Sequence, residues 1–378
     1  MLASDHRIHI ADSCSLEFMD SDSVALVVTS PPYPMIEMWD NLFRQRNPGV
    51  SEALSAADGR TAFELMHKAL DRVWAEVHRV LHDGGFACIN IGDATRKIGD
   101  RFQLFPNHSR ILLECHKLGF DVLPVVLWRK QTNAPNKFMG SGMLPAGAYV
   151  TLEHEYILVL RKGPKRRFKS EDEKSNRRNS AIFWEERNRW FSDIWDFKGT
   201  RQALNSRDTR TPKTRTRSAA FPFELAYRLI CMYSAKSDIV LDPFLGTGTA
   251  MFAAMASGRN SVGVDLEAAF LPVLRDKLIR FSKMVNSYTA DRLQRHLNFC
   301  RLREQEKKKK LKYVNLNHQF QVMTAQEVEL KIEAVESITA VDDLNFRVTY
   351  AALGKDDFLP QLRGFQDTIT QDQLSLAF

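Results

Sequence analysis

Cysteine is scarce in this sequence, and its distribution excludes two classes of architecture. Five cysteines occur among 378 residues, and no two of them form a C-x-x-C pair. Structural zinc sites and disulfide frameworks both require closely spaced or regularly paired cysteines. We therefore expect free thiols, as in a reducing compartment, and we predict no metal site.

Long hydrophobic runs are missing as well. The longest apolar stretches, at residues 24–28 and 122–128, are much shorter than the ~18 residues that indicate a membrane-spanning helix. The first residues, MLASDHR, lack the apolar core of a secretory signal. These absences predict a cytoplasmic protein that is not associated with a membrane.

Acidic residues are under-represented in one part of the chain. The net charge is +7, yet residues 161–217 contain 18 basic and 8 acidic residues, whereas residues 313–378 contain 4 basic and 10 acidic ones. A concentrated basic segment in an otherwise mildly acidic chain is typical of a surface that binds a polyanion, although a solvated charged surface gives the same pattern.

Two predictions concern the basic segment, one about its charges and one about its aromatic residues. If it binds a polyanion, charge reversal at Arg177 and Arg178, or at Arg215 and Arg217, should weaken binding and flatten its salt dependence. The phenylalanine and tryptophan residues that are interleaved with the basic residues are expected to form a small local core rather than to stack on bases.

Strand and helix patterns alternate along most of the chain. Short apolar runs such as 24–28, 122–128 and 239–242 are typical of buried strands, helical spacing at 62–81 predicts a helix, and residues 34–59 are expected to be irregular. This alternation predicts a doubly wound α/β fold with a mostly parallel sheet. Ligands of such sheets bind beyond the carboxyl ends of the strands. The residues at these ends are Asp12, Ser30 to Tyr33, Asp93, Asp242 and Asp265.

A glycine-rich loop follows the predicted strand at 239–242. The glycines of its sequence, DPFLGTGT, allow a tight turn, and the N–H groups of the following helix can bind a carboxylate or phosphate. Asp265, at the end of the next strand, lies where a carboxylate reaches ribose hydroxyls.

Two common nucleotide motifs do not fit this loop. A dinucleotide fingerprint needs a third glycine or alanine at its sixth position, which is Met251 here, and the Lys-Ser/Thr pair of a P-loop is absent. A nucleoside ligand that lacks a pyrophosphate fits better. S-adenosylmethionine is such a ligand, since it offers adenine, ribose and a methionine carboxylate.

A second loop, Ser30-Pro31-Pro32-Tyr33, follows the apolar run at 24–28. Consecutive prolines cannot continue a central strand, so this loop must lie at the strand end. The order of SPPY before DPFLGTGT resembles the amino-group DNA methyltransferases in which the catalytic motif precedes the cofactor motif. The resemblance covers residues 6–285 and extends to the sequences LWRK, EHEYI and FPFEL.

The resemblance implies a seven-stranded, Rossmann-like methyltransferase sheet, S-adenosylmethionine as the cofactor and double-stranded DNA as the partner. The methyl acceptor would be the exocyclic amine of a base flipped out of the duplex, with Tyr33 stacked on that base. The implied catalytic residues are Ser30, Pro31, Pro32, Tyr33 and Asp93. The implied cofactor-binding residues are Asp12, Phe221, Asp242, Phe244, Gly246, Thr247, Gly248 and Asp265. For Asp12 and Asp93, a structural role at a strand end is the alternative.

The first residue of the catalytic loop bears on the target base. Serine there resembles the cytosine-N4-specific members, whereas aspartate or asparagine is usual in adenine-N6 members. Methylation of a ring carbon needs a cysteine nucleophile, normally after a proline, and no cysteine here follows a proline. The resemblance thus implies a cytosine-N4 enzyme of a restriction-modification system, with a cognate restriction endonuclease as a further partner. The open alternatives are an adenine-N6 enzyme, a catalytically silent DNA-binding regulator and a nicotinamide oxidoreductase.

Four regions are predicted along the chain. Residues 1–162 are expected to form the catalytic half of the methyltransferase domain, and residues 218–300 its cofactor-binding half. Residues 163–217 form an inserted DNA-recognition region in this prediction, because the basic segment lies where the family places target recognition. Residues 301–378 are expected to be a small C-terminal accessory extension.

Overall fold

The structure, a computed structural model, describes residues 2–130, 139–140, 143–198 and 221–353. The strands are β1 (Ala3–Ile10), β2 (Val24–Thr29), β3 (Leu81–Ile91), β4 (Ala94–Ile98), β5 (Arg101–Phe105), β6 (Phe120–Val122), β7 (Val126–Arg129), β8 (Met139–Gly140), β9 (Ala148–Tyr149), β10 (His154–Lys162), β11 (Ile194–Asp196), β12 (Ile239–Asp242), β13 (Asn260–Asp265), β14 (Tyr313–Val314), β15 (Gln321–Val322), β16 (Glu333–Ala340) and β17 (Asn345–Ala352). The α-helices are α1 (Asp40–Arg46), α2 (Gly49–Ser55), α3 (Gly59–Val80), α4 (Asn107–Lys117), α5 (Glu171–Asn179), α6 (Trp184–Trp190), α7 (Phe223–Tyr233), α8 (Thr249–Ala256) and α9 (Leu271–Lys307).

Seven neighbouring strands form the expected methyltransferase sheet, in the order β7-β10-β3-β2-β12-β13-β1. Strand β10 is antiparallel to both of its neighbours, so the other six strands run in one direction. Strands β6 and β11 at one edge and the hairpin β16–β17 at the other bring the sheet to eleven strands. The doubly wound, mostly parallel α/β fold is confirmed, and it carries further strands at each edge.

Two apolar cores separate the sheet from the helices on its two faces. Strand β2 is buried at all six positions, as a strand covered on both faces must be. On one face, the apolar stripe of α3 packs with α1, α2 and α4. On the other face, α7, α8 and part of α9 share a core with side chains of β10 and β12. None of the described helices combines the length and the apolar composition that crossing a membrane requires.

Two segments differ from the sequence prediction. Residues 34–59, expected to be irregular, contain α1 and α2, which are seven residues each and too short to show helical periodicity in the sequence. The apolar run at 122–128 forms β6 and β7 instead of one strand. The interruption contains Pro124, which has no N–H group to continue a ladder.

The C-terminal part of the described chain continues the central sheet. Strand β17 pairs with β1 in antiparallel register, and Phe346 and Val348 enter the core that α7 and α8 share. Helix α9 spans 37 residues and leads from the cofactor half toward this hairpin. The boundary near residue 300 and the other predicted boundaries stay predictions.

Candidate active site

The carboxyl ends of the parallel strands bring the predicted site residues together from distant parts of the sequence. The Thr29 hydroxyl, at the end of β2, donates a hydrogen bond of 2.6 Å to Asp242 Oδ1 at the end of β12. The N–H of Ala11, after β1, donates to the Asp265 carbonyl oxygen at the end of β13 over 2.9 Å. The loops after four strands therefore meet at one edge of the sheet, here called the carboxyl edge.

The glycine loop turns sharply because two of its residues adopt positive φ. Gly246 has a φ of +50° and Gly248 a φ of +81°. A Cβ atom at Gly248 would also lie only 3.0 Å from Leu274 Cδ1 on α9. Helix α8 begins directly after Gly248, which places its first N–H groups at the loop, where a carboxylate or phosphate can bind.

Asp265 holds the glycine loop against the end of β13. Its Oδ2 atom accepts a 2.8 Å hydrogen bond from the Gly246 N–H, and its Oδ1 atom accepts one of 3.0 Å from the Glu267 N–H. Burial raises the pKa of this carboxyl above its ordinary value. Each carboxylate oxygen has a second lone pair, so Asp265 can also accept hydrogen bonds from ligand hydroxyls.

Asp242 is a bridge between the two predicted loops. Its side chain is buried, and Oδ1 accepts both the Thr29 hydroxyl and the Phe244 N–H, the latter at 3.0 Å. Burial raises the pKa of Asp242 to about 7. This geometry favours a structural role, in which Asp242 positions the glycine loop, over direct contact with a ligand.

Asp12 pairs with a cation that the sequence prediction missed. The Arg46 guanidinium on α1 donates to Asp12 Oδ2, and the Cys14 N–H donates to Oδ1 over 3.0 Å. Arg46 lowers the pKa of Asp12 to about 2, so the carboxylate is charged at neutral pH. The pair lies at the carboxyl edge, directly after β1.

Three further predicted cofactor residues and one lysine complete this half of the site. Phe221 and Thr247 are buried, and the half-buried ring of Phe244 packs against Trp74 at a centroid distance of 6.2 Å. Lys277 on α9, which the sequence prediction missed, donates to the Thr247 carbonyl oxygen over 3.4 Å. Burial lowers the pKa of Lys277 to about 8.

The Ser-Pro-Pro-Tyr loop leaves β2 at the carboxyl edge and is held there by a buried asparagine. Pro31 and Pro32 are both buried. The carbonyl of Pro34, directly after the loop, accepts a 3.1 Å hydrogen bond from Asn107 Nδ2. The same nitrogen donates to the Gly92 carbonyl over 3.0 Å. Asn107 therefore fixes the loop to the end of β3.

Tyr33 is the centre of a polar cluster that the sequence prediction did not identify. Ser30 Oγ donates to the Tyr33 hydroxyl over 3.1 Å, and this hydroxyl donates to Glu155 Oε2 over 3.0 Å. Asn90 Nδ2 donates to both Tyr33 and Glu155, over 2.9 and 2.7 Å, and Lys130 donates to Glu155 Oε1. The burial of Tyr33 and the Glu155 carboxylate hold the pKa of the phenol well above its ordinary value, so it keeps its proton.

Asp93 contacts the first turn of α4 through His108. Its side chain is only 4% exposed, and its carboxylate accepts the His108 N–H over 3.1 Å and pairs with His108 Nδ1 over 2.8 Å. Because these bonds occupy the carboxylate at the first turn of α4, the geometry favours the structural alternative over a catalytic role.

The first half of the basic segment lies at the opposite edge of the sheet, here called the amino edge. Lys162 Nζ donates to the carbonyl of Leu81, the first residue of β3, over 2.7 Å. Arg166 pairs with Asp238, just before β12, over 2.6 Å. The chain returns to the carboxyl edge only with β11, and Arg215 and Arg217 lie outside the described residues.

The buried aromatic residues of this segment join two larger cores instead of the small local core that was expected. Trp190 and Trp195 lie in the core that α7 and α8 share with the sheet, and Phe183 lies in a cluster with α9 and the C-terminal strands. Phe183, Trp190 and Trp195 are each at most 2% exposed. Beside them, the buried Glu186 carboxylate of α6 accepts two hydrogen bonds from Arg292 of α9, over 2.6 and 2.7 Å. This part of the segment therefore packs inward, against α9.

Comparison with known proteins identifies the family. The model of the DNA methylase family of N6 and N4 methyltransferases matches residues 24–276. The type II methyltransferase M.MthZI of Methanothermobacter thermautotrophicus is 47% identical over 351 residues, which are 92% of this chain and 96% of that protein. The type II methyltransferase M.MjaI of Methanocaldococcus jannaschii is 46% identical over 288 residues, 73% of this chain and 92% of that protein.

A solved structure is similar in both fold and sequence. It is a candidate DNA modification methylase from Thermus thermophilus in complex with S-adenosyl-L-methionine, with 34% identity and a TM-score of 0.56 over 74% of this chain and 94% of that one. The resemblance inferred from the two loops is confirmed. The chain belongs to the DNA methylase family of N6 and N4 amino-methyltransferases.

Proposed function

We propose that this DNA methylase transfers a methyl group from S-adenosylmethionine to the exocyclic N4 of cytosine, after the base has flipped out of duplex DNA. The observation that carries the proposal is the position of Ser30. It begins the catalytic loop at the carboxyl edge, and the Thr29–Asp242 hydrogen bond of 2.6 Å ties this loop to the glycine loop. Methyl donor and acceptor can therefore be held side by side, which is the main requirement of a direct transfer.

The residues around the glycine loop fit S-adenosylmethionine. Asp265 can accept ribose hydroxyls, and the first N–H groups of α8 can bind the methionine carboxylate, with Lys277 as a nearby cation. Phe221 and Phe244, both predicted cofactor-binding residues, are the apolar side chains that we propose for contact with the adenine ring. When bound, the cofactor supplies an electrophilic methyl group. The match of the family model leaves no room for the nicotinamide oxidoreductase alternative.

The acceptor half requires groups that accept hydrogen bonds from an amine. The lone pair of an exocyclic amine is conjugated with the base, which makes it a poor nucleophile. Hydrogen bonds from its N–H groups to Ser30 Oγ and the Pro31 carbonyl push electron density back onto nitrogen. The rigid prolines keep these acceptors in place while Tyr33 packs against the base.

We also propose that DNA approaches the carboxyl edge. The hairpin β4–β5 projects from the end of β3 at this edge and exposes Lys97 and Arg101. Strand β11 brings the chain back to the same edge, where Asp196 pairs with Arg129 over 2.6 Å. The proposed recognition role of residues 163–217 therefore belongs to the part that follows α6.

The target base is tested by analysing nucleosides. DNA from a methylation-free bacterial host that expresses the chain is hydrolysed and examined by mass spectrometry. We expect N4-methylcytosine in DNA from the wild type and less of it with the Ser30→Ala variant. N6-methyladenine would replace the proposal by the adenine alternative, and unmodified DNA that the protein still binds would indicate a silent regulator.

A role in restriction-modification is proposed from the relatives, two of which are named type II methyltransferases. The partner would be an endonuclease that cleaves the same DNA site. Sequencing that detects modified bases gives the methylated sequence, and fully methylated and unmethylated DNA can then be incubated with extract of the source organism. Site-specific cleavage of the unmethylated DNA alone is expected, and equal cleavage of both would contradict the proposal.

A further inference from the structure

We propose that Glu155 acts through Tyr33 as the final proton acceptor of a relay that begins at Ser30. The inference rests on the proposed function in one respect, that the acceptor is an exocyclic amine. It concerns residues from three distant parts of the chain, the catalytic loop, β3 and β10, that meet at the carboxyl edge.

The direction of each hydrogen bond in the cluster follows from the chemistry of its members. A carboxylate can only accept, so the Tyr33 O–H must point to Glu155, 3.0 Å away. The Asn90 amide nitrogen can only donate, so it takes one lone pair of the Tyr33 oxygen, at 2.9 Å. The remaining lone pair accepts the Ser30 O–H at 3.1 Å.

This arrangement makes Ser30 an acceptor toward the base. With its own proton directed at Tyr33, the Ser30 oxygen has only lone pairs left for a ligand. An amine N–H can occupy such a lone pair, whereas a carbonyl oxygen or an unprotonated ring nitrogen is repelled. The network thus gives a neutral hydroxyl the hydrogen-bonding character that a carboxylate has by itself.

The same bonds form a path for the excess proton. Methyl transfer leaves the amine nitrogen with one proton too many. In the proposed step the N–H bond breaks and its proton binds Ser30 Oγ, while the Ser30 proton passes to Tyr33 and the Tyr33 proton to Glu155 Oε2. Serine and tyrosine end neutral, as they began, and Glu155 becomes a carboxylic acid that later returns its proton to water.

Close packing and an ion pair hold the side chains of this path in position. A Cβ atom at Gly92 would lie 3.1 Å from Tyr33 Cε2 and 3.3 Å from Glu155 Cγ, so both side chains pack directly against the backbone that follows β3. Lys130 pairs with the second oxygen of Glu155, which is 13% exposed, while Lys130 itself is 37% exposed. The Lys130 cation therefore fixes the second carboxylate oxygen, which leaves Oε2 directed at Tyr33.

The test uses Tyr33→Phe, which removes only the hydroxyl, and Glu155→Gln, which keeps the shape of the side chain. Acid–base catalysis contributes about 10²–10⁴-fold, so we expect each variant to lower kcat by at least about a hundredfold. The KM for DNA and the calorimetric affinity for S-adenosylmethionine should change less than about threefold, because neither contact is removed. The double variant should be no slower than the slower single one, since both break the same path.

Two further variants separate a relay from a structural role. Lys130→Gln leaves the relay atoms intact and removes only the cation beside Glu155, so it should lower kcat less than Glu155→Gln does. Glu153→Gln, an exposed glutamate two positions away, is the matched control and should behave as wild type.

Two results would overturn the relay: wild-type kcat in a folded Glu155→Gln protein, or losses that multiply in the double variant. Thermal unfolding of every variant distinguishes loss of the path from loss of the fold. The identity of the methylated base is determined separately. If that base is adenine, the cytosine proposal fails while the relay, which needs only an exocyclic amine, is still tested by the same kinetics.

Discussion

The buried Asp242 carboxyl lowers the stability of the folded chain at neutral and higher pH, and one substitution should remove this effect. Its pKa is about 7 in the folded chain against an ordinary value of 3.8, because the group is buried between the two loops of the site. Each unit of pKa difference corresponds to about 1.4 kcal/mol, so keeping the ionised carboxylate in the fold costs about 4 kcal/mol above pH 7. In Asp242→Asn, the amide oxygen can still accept both hydrogen bonds that Oδ1 accepts.

The sign of the effect follows from proton linkage. Between pH 3.8 and about 7 the folded state binds this proton and the unfolded state does not, so the contribution of Asp242 to stability falls as pH rises. Above about pH 7 Asp242 is ionised in both the folded and the unfolded state, and the destabilisation of the fold is complete. The amide of Asp242→Asn cannot ionise, and the variant should therefore gain stability relative to wild type as pH rises from 4 to 8, by up to about 4 kcal/mol.

Urea unfolding at pH 5 and pH 8 measures most of this difference, about 3 kcal/mol. An exposed control, Asp100→Asn, should show the pH dependence of the wild type. S-adenosylmethionine affinity should be nearly unchanged in Asp242→Asn, since the carboxylate faces Thr29 and the loop backbone. A variant that gains no stability at pH 8, or a folded variant that binds the cofactor more than tenfold more weakly, would refute the bridging role.

Three other predictions use the same site and its support. Asp265→Ala should weaken S-adenosylmethionine binding about ten- to a hundredfold, because an acceptor for the ribose hydroxyls is lost; unchanged affinity by calorimetry would contradict the ribose role. Ser30→Ala should lower the methylation rate while cofactor affinity stays within about threefold, and a loss of affinity with normal turnover would place this loop on the cofactor side. Glu186→Gln leaves the buried Arg292 without its carboxylate and should cost about 3–5 kcal/mol in urea unfolding, so a neutral result would mean that the pair adds nothing to the packing of α6.

The sequence predicted both loops of the site because their positions follow from local rules. Apolar runs locate buried strands, and in a parallel sheet the loops after such strands share one edge. Ser30 and Asp265 therefore come together at the carboxyl edge even though more than half of the chain lies between them. The glycines of the second loop are equally local, since positive φ and the close approach of Leu274 both require them.

Glu155, Asn90 and Lys130 could not be found in this way. Asn90 is one polar residue inside the apolar strand β3, and Glu155 lies at the beginning of its strand, where the rule for parallel sheets predicts no site. It reaches the carboxyl edge only because β10 runs antiparallel to its neighbours. The cluster depends on a strand direction that apolar periodicity does not encode.

The length of α9 and its contacts could not be predicted from the sequence for a related reason. Beyond residue 284 the helix contains many charged residues, so its sequence resembles that of an exposed helix. Several of its polar residues are nevertheless buried, and two of them pair with carboxylates, Arg292 with Glu186 and His296 with Glu185. Polar burial of this kind requires the partner on α6, which no periodic pattern in α9 reveals.

The position of α5 leads us to a different prediction for Arg177 and Arg178 from the one made from the sequence. Asn176 donates to the Lys236 carbonyl, just before β12, over 2.8 Å, and Arg178 pairs with Glu329 over 2.9 Å. These contacts place α5 at the amino edge, far from Ser30. Charge reversal at Arg177 and Arg178 should therefore leave DNA affinity and its salt dependence within about twofold of wild type, while removing the ion pair with Glu329.

Reversal at Lys97 and Arg101, on the hairpin at the carboxyl edge, is the matched comparison. Each phosphate contact contributes about 0.9 to the slope of log affinity against log salt, so losing one or two contacts should flatten the slope by about 1–2. The measurement is fluorescence anisotropy with duplex DNA across a salt series, at saturating S-adenosylmethionine. If the Arg177 and Arg178 variant flattens the slope and the hairpin variant does not, DNA binds the amino edge, and the proposed approach to Ser30 is wrong.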